Sequence, residues 1–156
     1  TVCGGETDRY NINIDKAVTY GAELNIEAQL STDIMLSSSY SYTFSEQRSG
    51  DNKGQPLTQI PEHLASLNIN WDINSALNAW ARTNYRSKES EPASVTSRLT
   101  SAPSITTTDL GSAWKINDNV KVMFGIYNLF DKATTYDEYG YVEDGRRYWL
   151  AIDTKL

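Results

Sequence analysis

Along most of this chain apolar and polar residues occupy alternate positions, and that period of two restricts the fold to strands with two unlike faces. Between residues 17 and 30 the even positions read Val18, Tyr20, Ala22, Leu24, Ile26, Ala28 and Leu30, while Thr19, Glu23, Asn25, Glu27 and Gln29 lie between them. After a turn at Ser31-Thr32-Asp33, one face holds Ile34, Leu36, Tyr40, Tyr42 and Phe44. Met35, Ser37, Ser39, Ser41, Thr43 and Ser45 hold the other. Ala65, Leu67, Ile69, Trp71 and Ile73 alternate with Ser66, Asn68, Asn70 and Asp72. Beyond a turn at Asn74-Ser75-Ala76, Leu77, Ala79, Ala81, Thr83 and Tyr85 alternate with Asn78, Trp80, Arg82, Asn84 and Arg86. Val120, Val122, Phe124, Ile126 and Phe130 share a face, and Tyr148, Leu150, Ile152 and Leu156 oppose Arg147, Trp149, Asp153 and Lys155. The stretch from Ile105 to Ile116 fits less well, because Thr106, Thr108 and Ser112 dilute its apolar side. The pattern predicts an all-β, antiparallel chain of about seven strands.

Connection lengths narrow the choice. The linkers near residues 31, 75 and 118 are tight, whereas those near 50–59, 91–104 and 133–145 are long and rich in Gly, Pro, Ser and charge. Short and long connections therefore alternate, which matches the short periplasmic turns and long outer loops of an outer-membrane barrel. A soluble antiparallel β-protein is the alternative reading. A mean hydropathy of -0.52 looks soluble, but only every second barrel residue faces lipid, so the average conceals the pattern. No run of about 18 apolar residues offers a membrane-spanning helix. The formal net charge of -6 argues against nucleic acid as a partner.

With short turns at the periplasmic end, Tyr40, Tyr42, Phe44, Tyr85 and Phe130 fall toward the outer rim, and Trp71 and Trp114 toward the inner one. Amphipathic rings favour both interfaces, although aromatics are also simply common in strands. Leu24, Ile26, Leu67, Ile69, Phe124 and Leu150 are expected to contact lipid. An odd strand count does not suit a closed single-chain barrel, so the chain reads as part of a larger one. The lone Cys3 either has a partner upstream or is a free or buried thiol. The chain begins at Thr1 without a leader-like stretch, as a mature form or one whose beginning is missing would.

The end of the chain, YGYVEDGRRYWLAIDTKL from Tyr139 to Leu156, resembles the C-terminal signature of the TonB-dependent receptors, in which a Gly-Arg pair opens the last strand. YNLFDK, from Tyr127 to Lys132, is similar to the element that ends the family's penultimate strand. Ile60-Pro61-Glu62-His63 and the Gly-x-Glu of KAVTYGAEL, from Lys16 to Leu24, are similar to two further elements. The four occur in the family's order, and EDGRRY resembles the colicin I receptor type, which takes up iron complexes of catecholate siderophores. The family usually ends in an aromatic residue, where this chain has Leu156.

The resemblance implies that residues 1–156 are the C-terminal part of a transmembrane barrel of about 22 strands, whose plug is absent here. It implies residence in the bacterial outer membrane and uptake of a ferric siderophore driven by TonB, which would act through the missing N-terminal part. Another TonB-dependent substrate such as cobalamin, a passive porin and an outer-membrane enzyme barrel are the alternatives. Lipid, lipopolysaccharide, the barrel assembly machinery and possible colicins or phage complete the expected partners; Tyr148, Leu150, Ile152 and Leu156 would form the assembly signal.

Enzyme chemistry is poorly supported by the residues, and no cofactor is expected. His63 is the sole histidine and lies in a Pro-Glu-His approach to a strand. There is no Cys/His cluster for zinc and no Gly-rich phosphate loop. Asp131 and Asp137 could do acid–base work, but loop solvation explains them better. The acidic, aromatic run Tyr136, Asp137, Glu138, Tyr139, Tyr141, Glu143 and Asp144 could bind a cation or a protein, or be a solvated loop. Ferric catecholates are anionic, so an importer needs cations facing its lumen near the outer mouth. Arg82, Arg86 and Lys88 share parity with Asn78 and Asn84, and Arg147 is on the polar side of the final strand. Pairing with carboxylates, or with lipopolysaccharide phosphates, is the competing role for each.

Overall fold

The computed structural model describes residues 16–50, 52–89, 102–133, 142 and 144–155. Seven strands follow one another, β1 (Ala17–Ser31), β2 (Ile34–Gln47), β3 (His63–Asp72), β4 (Leu77–Arg86), β5 (Ile105–Lys115), β6 (Val120–Tyr127) and β7 (Arg147–Thr154). They form a single antiparallel sheet in sequence order, β1 to β7. The two end strands do not pair with each other, so these seven strands leave two open edges.

The register keeps like faces together. On the apolar face, Ile26 stands opposite Ser38, Ser38 opposite Leu67 and Leu67 opposite Thr83. At the far end of the sheet Phe124 faces Leu150 and Val122 faces Ile152. No core lies behind either face: among the described residues the one buried hydrophobic side chain is Ala102. Leu24, Ile26, Leu67, Ile69, Phe124 and Leu150 are all exposed. The Thr83, Thr108 and Ser38 hydroxyls on this face are satisfied locally. Thr83 and Thr108 share a hydrogen bond of 3.3 Å, and Ser38 Oγ donates to the Ser66 carbonyl at 3.1 Å. A buried or lipid-facing hydroxyl is tolerated when it has such a partner, which accounts for Thr108 on the apolar side of β5.

Aromatic side chains bracket the apolar face. Trp71 and Trp114 lie near the tight turns, and Tyr20 stacks on Phe44 at 4.7 Å near the opposite end. From Ile34, paired with Trp71, to Phe44, paired with Tyr20, ten steps cover about 33 Å of strand, or about 25 Å of height at a tilt near 40°. That equals the apolar band of an outer-membrane barrel.

The strand ends differ from the sequence reading at three places. Phe130 is not part of β6, because Asn128 adopts φ 52 and turns the chain out of the sheet after Tyr127. Lys88 lies two residues beyond the end of β4, so strand parity does not fix its face. The final strand ends at Thr154. Leu156, Cys3, Asp137 and the loop residues Tyr136, Glu138, Tyr139, Tyr141 and Glu143 lie outside the described residues.

Candidate functional site

The polar face carries small hydrogen-bonding side chains on β2 and β3 and longer ones on β1 and β4. Ser39 and Ser66 share a hydrogen bond of 2.7 Å across β2 and β3. A concavity of about 540 Å³ runs along this face between Glu23, Ser39, Ser41, Ser66, Asn84 and Arg86. The expected cations border it unequally. Arg82 is exposed and its Nε donates to Asn68 Oδ1 at 2.9 Å. Arg86, at the top of β4, is half-buried and pairs with Glu89 at 3.0 Å. Lys88 is exposed. Arg147 pairs with Asp144 at 3.0 Å and lies over the Tyr127 ring, 5.6 Å from its centre. Arg82 and Arg147 are separated by three strand gaps, about 14 Å. The structure thus sets them on one face but does not join them in one cluster, and it gives Arg86 and Arg147 carboxylate partners.

The recurring sequence elements near the outer rim act as staples. The Asn128 side chain closes both stems of the β6–β7 connection: Nδ2 donates to the carbonyls of Lys132 (2.6 Å) and Asp144 (2.9 Å), and Oδ1 accepts from the Lys132 N–H (2.9 Å). Its own N–H donates to the buried Asp109 carboxylate at 2.8 Å. Asp131, at φ 56, accepts from the Arg146 N–H at 2.7 Å. Asn and Asp tolerate this left-handed backbone better than other residues with a side chain, so the Asn-x-x-Asp pattern is required by geometry. Replacing Asn128 by Ala is expected to cost the full-length protein about 2–4 kcal/mol, from lost buried hydrogen bonds and left-handed strain. Denaturant unfolding in detergent measures it, and an unchanged midpoint would refute the staple.

The Ile-Pro-Glu-His element does the same for β2 to β4. The Glu62 carbonyl accepts from the Thr43 N–H at 2.9 Å, His63 and Ser87 exchange hydrogen bonds, and Pro61 bridges to Glu89. The His63 ring lies on the apolar side, where Nδ1 meets the Tyr40 hydroxyl at 2.8 Å beside the Tyr42 ring. That places it in the rim's aromatic band and away from the polar face. In the β1 element, Gly21 is needed because a Cβ there would collide with the Tyr42 carbonyl. At the opposite end of the sheet, the Lys115 ammonium hydrogen-bonds Asp118 at 2.6 Å and holds its carboxyl below the usual carboxylate range, by that bond first and by charge second.

One polar-face feature escaped the sequence reading. Trp80, Tyr127 and Trp149 form a continuous aromatic surface, with ring centres 6.4 and 6.5 Å apart. The signal was present in the alternation, since Trp80 and Trp149 fall on polar positions where large apolar rings are unexpected.

A wide antiparallel sheet with an aromatic-bracketed apolar face, a polar face and open edges is a portion of a transmembrane β-barrel wall. Residues 1–129 match the family described as TonB dependent receptor-like, beta-barrel, and the chain belongs to that family of bacterial outer-membrane proteins. It is 47% identical over 150 residues to the iron-regulated outer membrane virulence protein of Vibrio cholerae, covering 96% of this chain and 23% of that relative. It is 27% identical to the ferric enterobactin receptor PirA of Pseudomonas aeruginosa, over 92% of this chain and 21% of the relative. The ferric-catecholate import receptor Fiu of Escherichia coli has the same fold over 88% of this chain and 21% of its own, with a TM-score of 0.75 at 15% identity. The chain spans about a quarter of the length of the relatives it matches.

Proposed function

We infer that this segment is the C-terminal wall of a receptor that imports ferric siderophores of the catecholate type, with energy delivered by TonB through a part of the receptor outside this segment. The observation that carries the reading is the 47% identity, across 96% of the chain, to an iron-regulated outer-membrane protein. Relatives named as ferric enterobactin receptors support the catecholate class. The polar face adds guanidinium groups, which keep their charge when partly desolvated and direct several hydrogen bonds at oxyanions. Arg82 is the readiest of these, because its Nε donates to a neutral amide, that of Asn68. For Arg86 and Arg147 an arriving anion competes with Glu89 and Asp144, so their share is smaller. Tyr148, Leu150 and Ile152 form an exposed apolar row on β7, beside the open edge, which is suited to recognition by the barrel assembly machinery.

The test is to neutralise Arg82, Arg86 and Arg147 together, as Gln, in the full-length receptor. Ferric catecholate binding is then measured on cells with confirmed surface expression, at two salt concentrations. Weaker binding with a shallower salt dependence is expected. Unchanged affinity and unchanged salt dependence would rule out these residues as ligand contacts. A parent receptor that binds no ferric catecholate would favour another TonB-dependent substrate.

A further inference from the structure

The β1–β2 ladder climbs past the aromatic band of the apolar face. On that face Tyr20 is paired with Phe44, and one rung higher Val18 is paired with Glu46. Beyond the last strand pair, Ala17 with Gln47, the Arg48 N–H donates to the Lys16 carbonyl at 2.9 Å. The ladder therefore continues, and Lys16 stands directly opposite Arg48. Both share the parity of Tyr20 and Phe44, the side that faces lipid lower down. Both are exposed. Like charges set directly opposite each other on one face of a sheet repel. Among the described residues the one carboxylate paired with either cation is that of Glu46, 3.2 Å from Arg48. Two cations thus share one carboxylate, and this stretch of the rim keeps a net positive charge.

We propose that Lys16 and Arg48, above the Tyr20–Phe44 stack, form a site on the outside of the barrel for the phosphate of an outer-leaflet glycolipid, the phosphorylated sugar headgroup of lipopolysaccharide. The site rests on the outer-membrane assignment and is independent of the ferric siderophore reading. The long connections lie at this end of the sheet, which assigns it to the outer leaflet. From Phe44 to Arg48 four steps cover about 13 Å of strand, or about 10 Å of height at a tilt near 40°. The two cations therefore lie just above the apolar band, where long side chains reach headgroup phosphates while their stems stay on apolar surface. A phosphate between the ammonium and the guanidinium replaces their repulsion with charge-assisted contacts, and the guanidinium meets it through a fork of N–H donors. Below it the ring stack, with Tyr20 exposed, offers an amphipathic surface to the sugar and the first carbons of the acyl chains. The opposite rim is built differently. There Lys115 and Lys121 are paired with each other on the polar face, while the lipid-facing side carries Trp114 and Ile116.

The experiment uses the full-length receptor in detergent, with purified lipid A as the probe, either phosphorylated or enzymatically dephosphorylated. The gel mobility of the folded barrel confirms that each variant is folded. Lys16→Gln with Arg48→Gln is expected to weaken binding of phosphorylated lipid A by about tenfold, the share of two cations at an anionic lipid surface. The same pair of changes is expected to abolish the parent's preference for the phosphorylated form. Glu46→Gln releases Arg48 from its carboxylate and is expected to tighten binding by about threefold, the worth of an exposed ion pair. Lys115→Gln with Lys121→Gln, the same change of net charge on the polar face, is expected to leave binding unaltered. A Lys16/Arg48 variant that binds like the parent would overturn the proposal, as would a parent indifferent to the phosphates or a Glu46→Gln receptor that binds no tighter. An equal loss in the Lys115/Lys121 variant would reduce the effect to net charge and overturn it too. Inorganic phosphate that displaces lipid A at equal concentration would make this a general anion site and not a lipid site, with the same consequence.

Discussion

Residues 1–156 alone, transferred to plain buffer, are expected to aggregate and to show no cooperative unfolding as a monomer. A soluble domain of this length hides its apolar side chains in one core, whereas among the described residues only Ala102 is a buried hydrophobic. Leu24, Ile26, Leu30, Leu67, Ile69, Trp71, Leu110, Trp114, Phe124, Leu150 and Ile152 all stand exposed on one face. That patch far exceeds the few hundred Å² that soluble monomers leave in contact with water. Among the described residues no further strand pairs with the outer edges of β1 and β7, and such edges template further pairing in water and are not tolerated in lipid. Light scattering and a urea titration in detergent-free buffer check this. A monomer with a sharp two-state transition would contradict the membrane assignment. Folding should return in detergent once the remaining strands of the barrel are supplied.

The seven strands were legible because each face has a single solvent. Lipid and a wet lumen select opposite side chains, so a period of two persists through nearly every strand. The tight turns were legible for the same reason, as brief interruptions of one rhythm. The outer rim was not. Asn128 and Asp131 reach positive φ and close the stems of the β6–β7 connection through contacts to Lys132, Asp144 and Arg146. Such contacts depend on three-dimensional closure, which periodicity does not encode, so the segment was recognisable only by its resemblance to a family element. Phe130 was misplaced on β6 because the alternation continues formally past the turn that ends the strand. The arginines were found by parity, but parity is silent on their pairing: Glu89 and Asp144 occupy Arg86 and Arg147 from within the connecting segments. The aromatic surface was only half legible: Trp80 and Trp149 stand out on the polar positions of their strands, but their meeting with Tyr127 depends on the register of β4 to β7.

Ile26→Arg in the full-length receptor is expected to destabilise the barrel by about 2–4 kcal/mol, the cost of arginine near the middle of the lipid-facing band. Ile26 stands in the central row of the apolar face, opposite Ser38 and in line with Leu67. Its neighbours on that face of β1 are Leu24 and Ala28. Asn25→Arg, one residue away, is expected to cost little. Its side chain points to the polar face, opposite Ser39 and between Glu23 and Glu27 on its own strand, so the new charge is hydrated and faces acidic neighbours. Asn68 on β3 is a poorer comparison, although it too faces the lumen. It is paired directly with Arg82 and accepts a hydrogen bond from it at 2.9 Å. Arginine there would lose that bond and set two like charges opposite each other, a penalty unrelated to lipid. Urea unfolding of the folded receptor in lipid vesicles, followed by the mobility shift of the folded barrel on a gel, separates the two faces of one strand at one depth. Equal losses for Ile26→Arg and Asn25→Arg would mean that β1 does not divide lipid from lumen. Register through β2 and β3 would then be in error as well, because in a paired sheet a slip of one residue exchanges every inward side chain for an outward one.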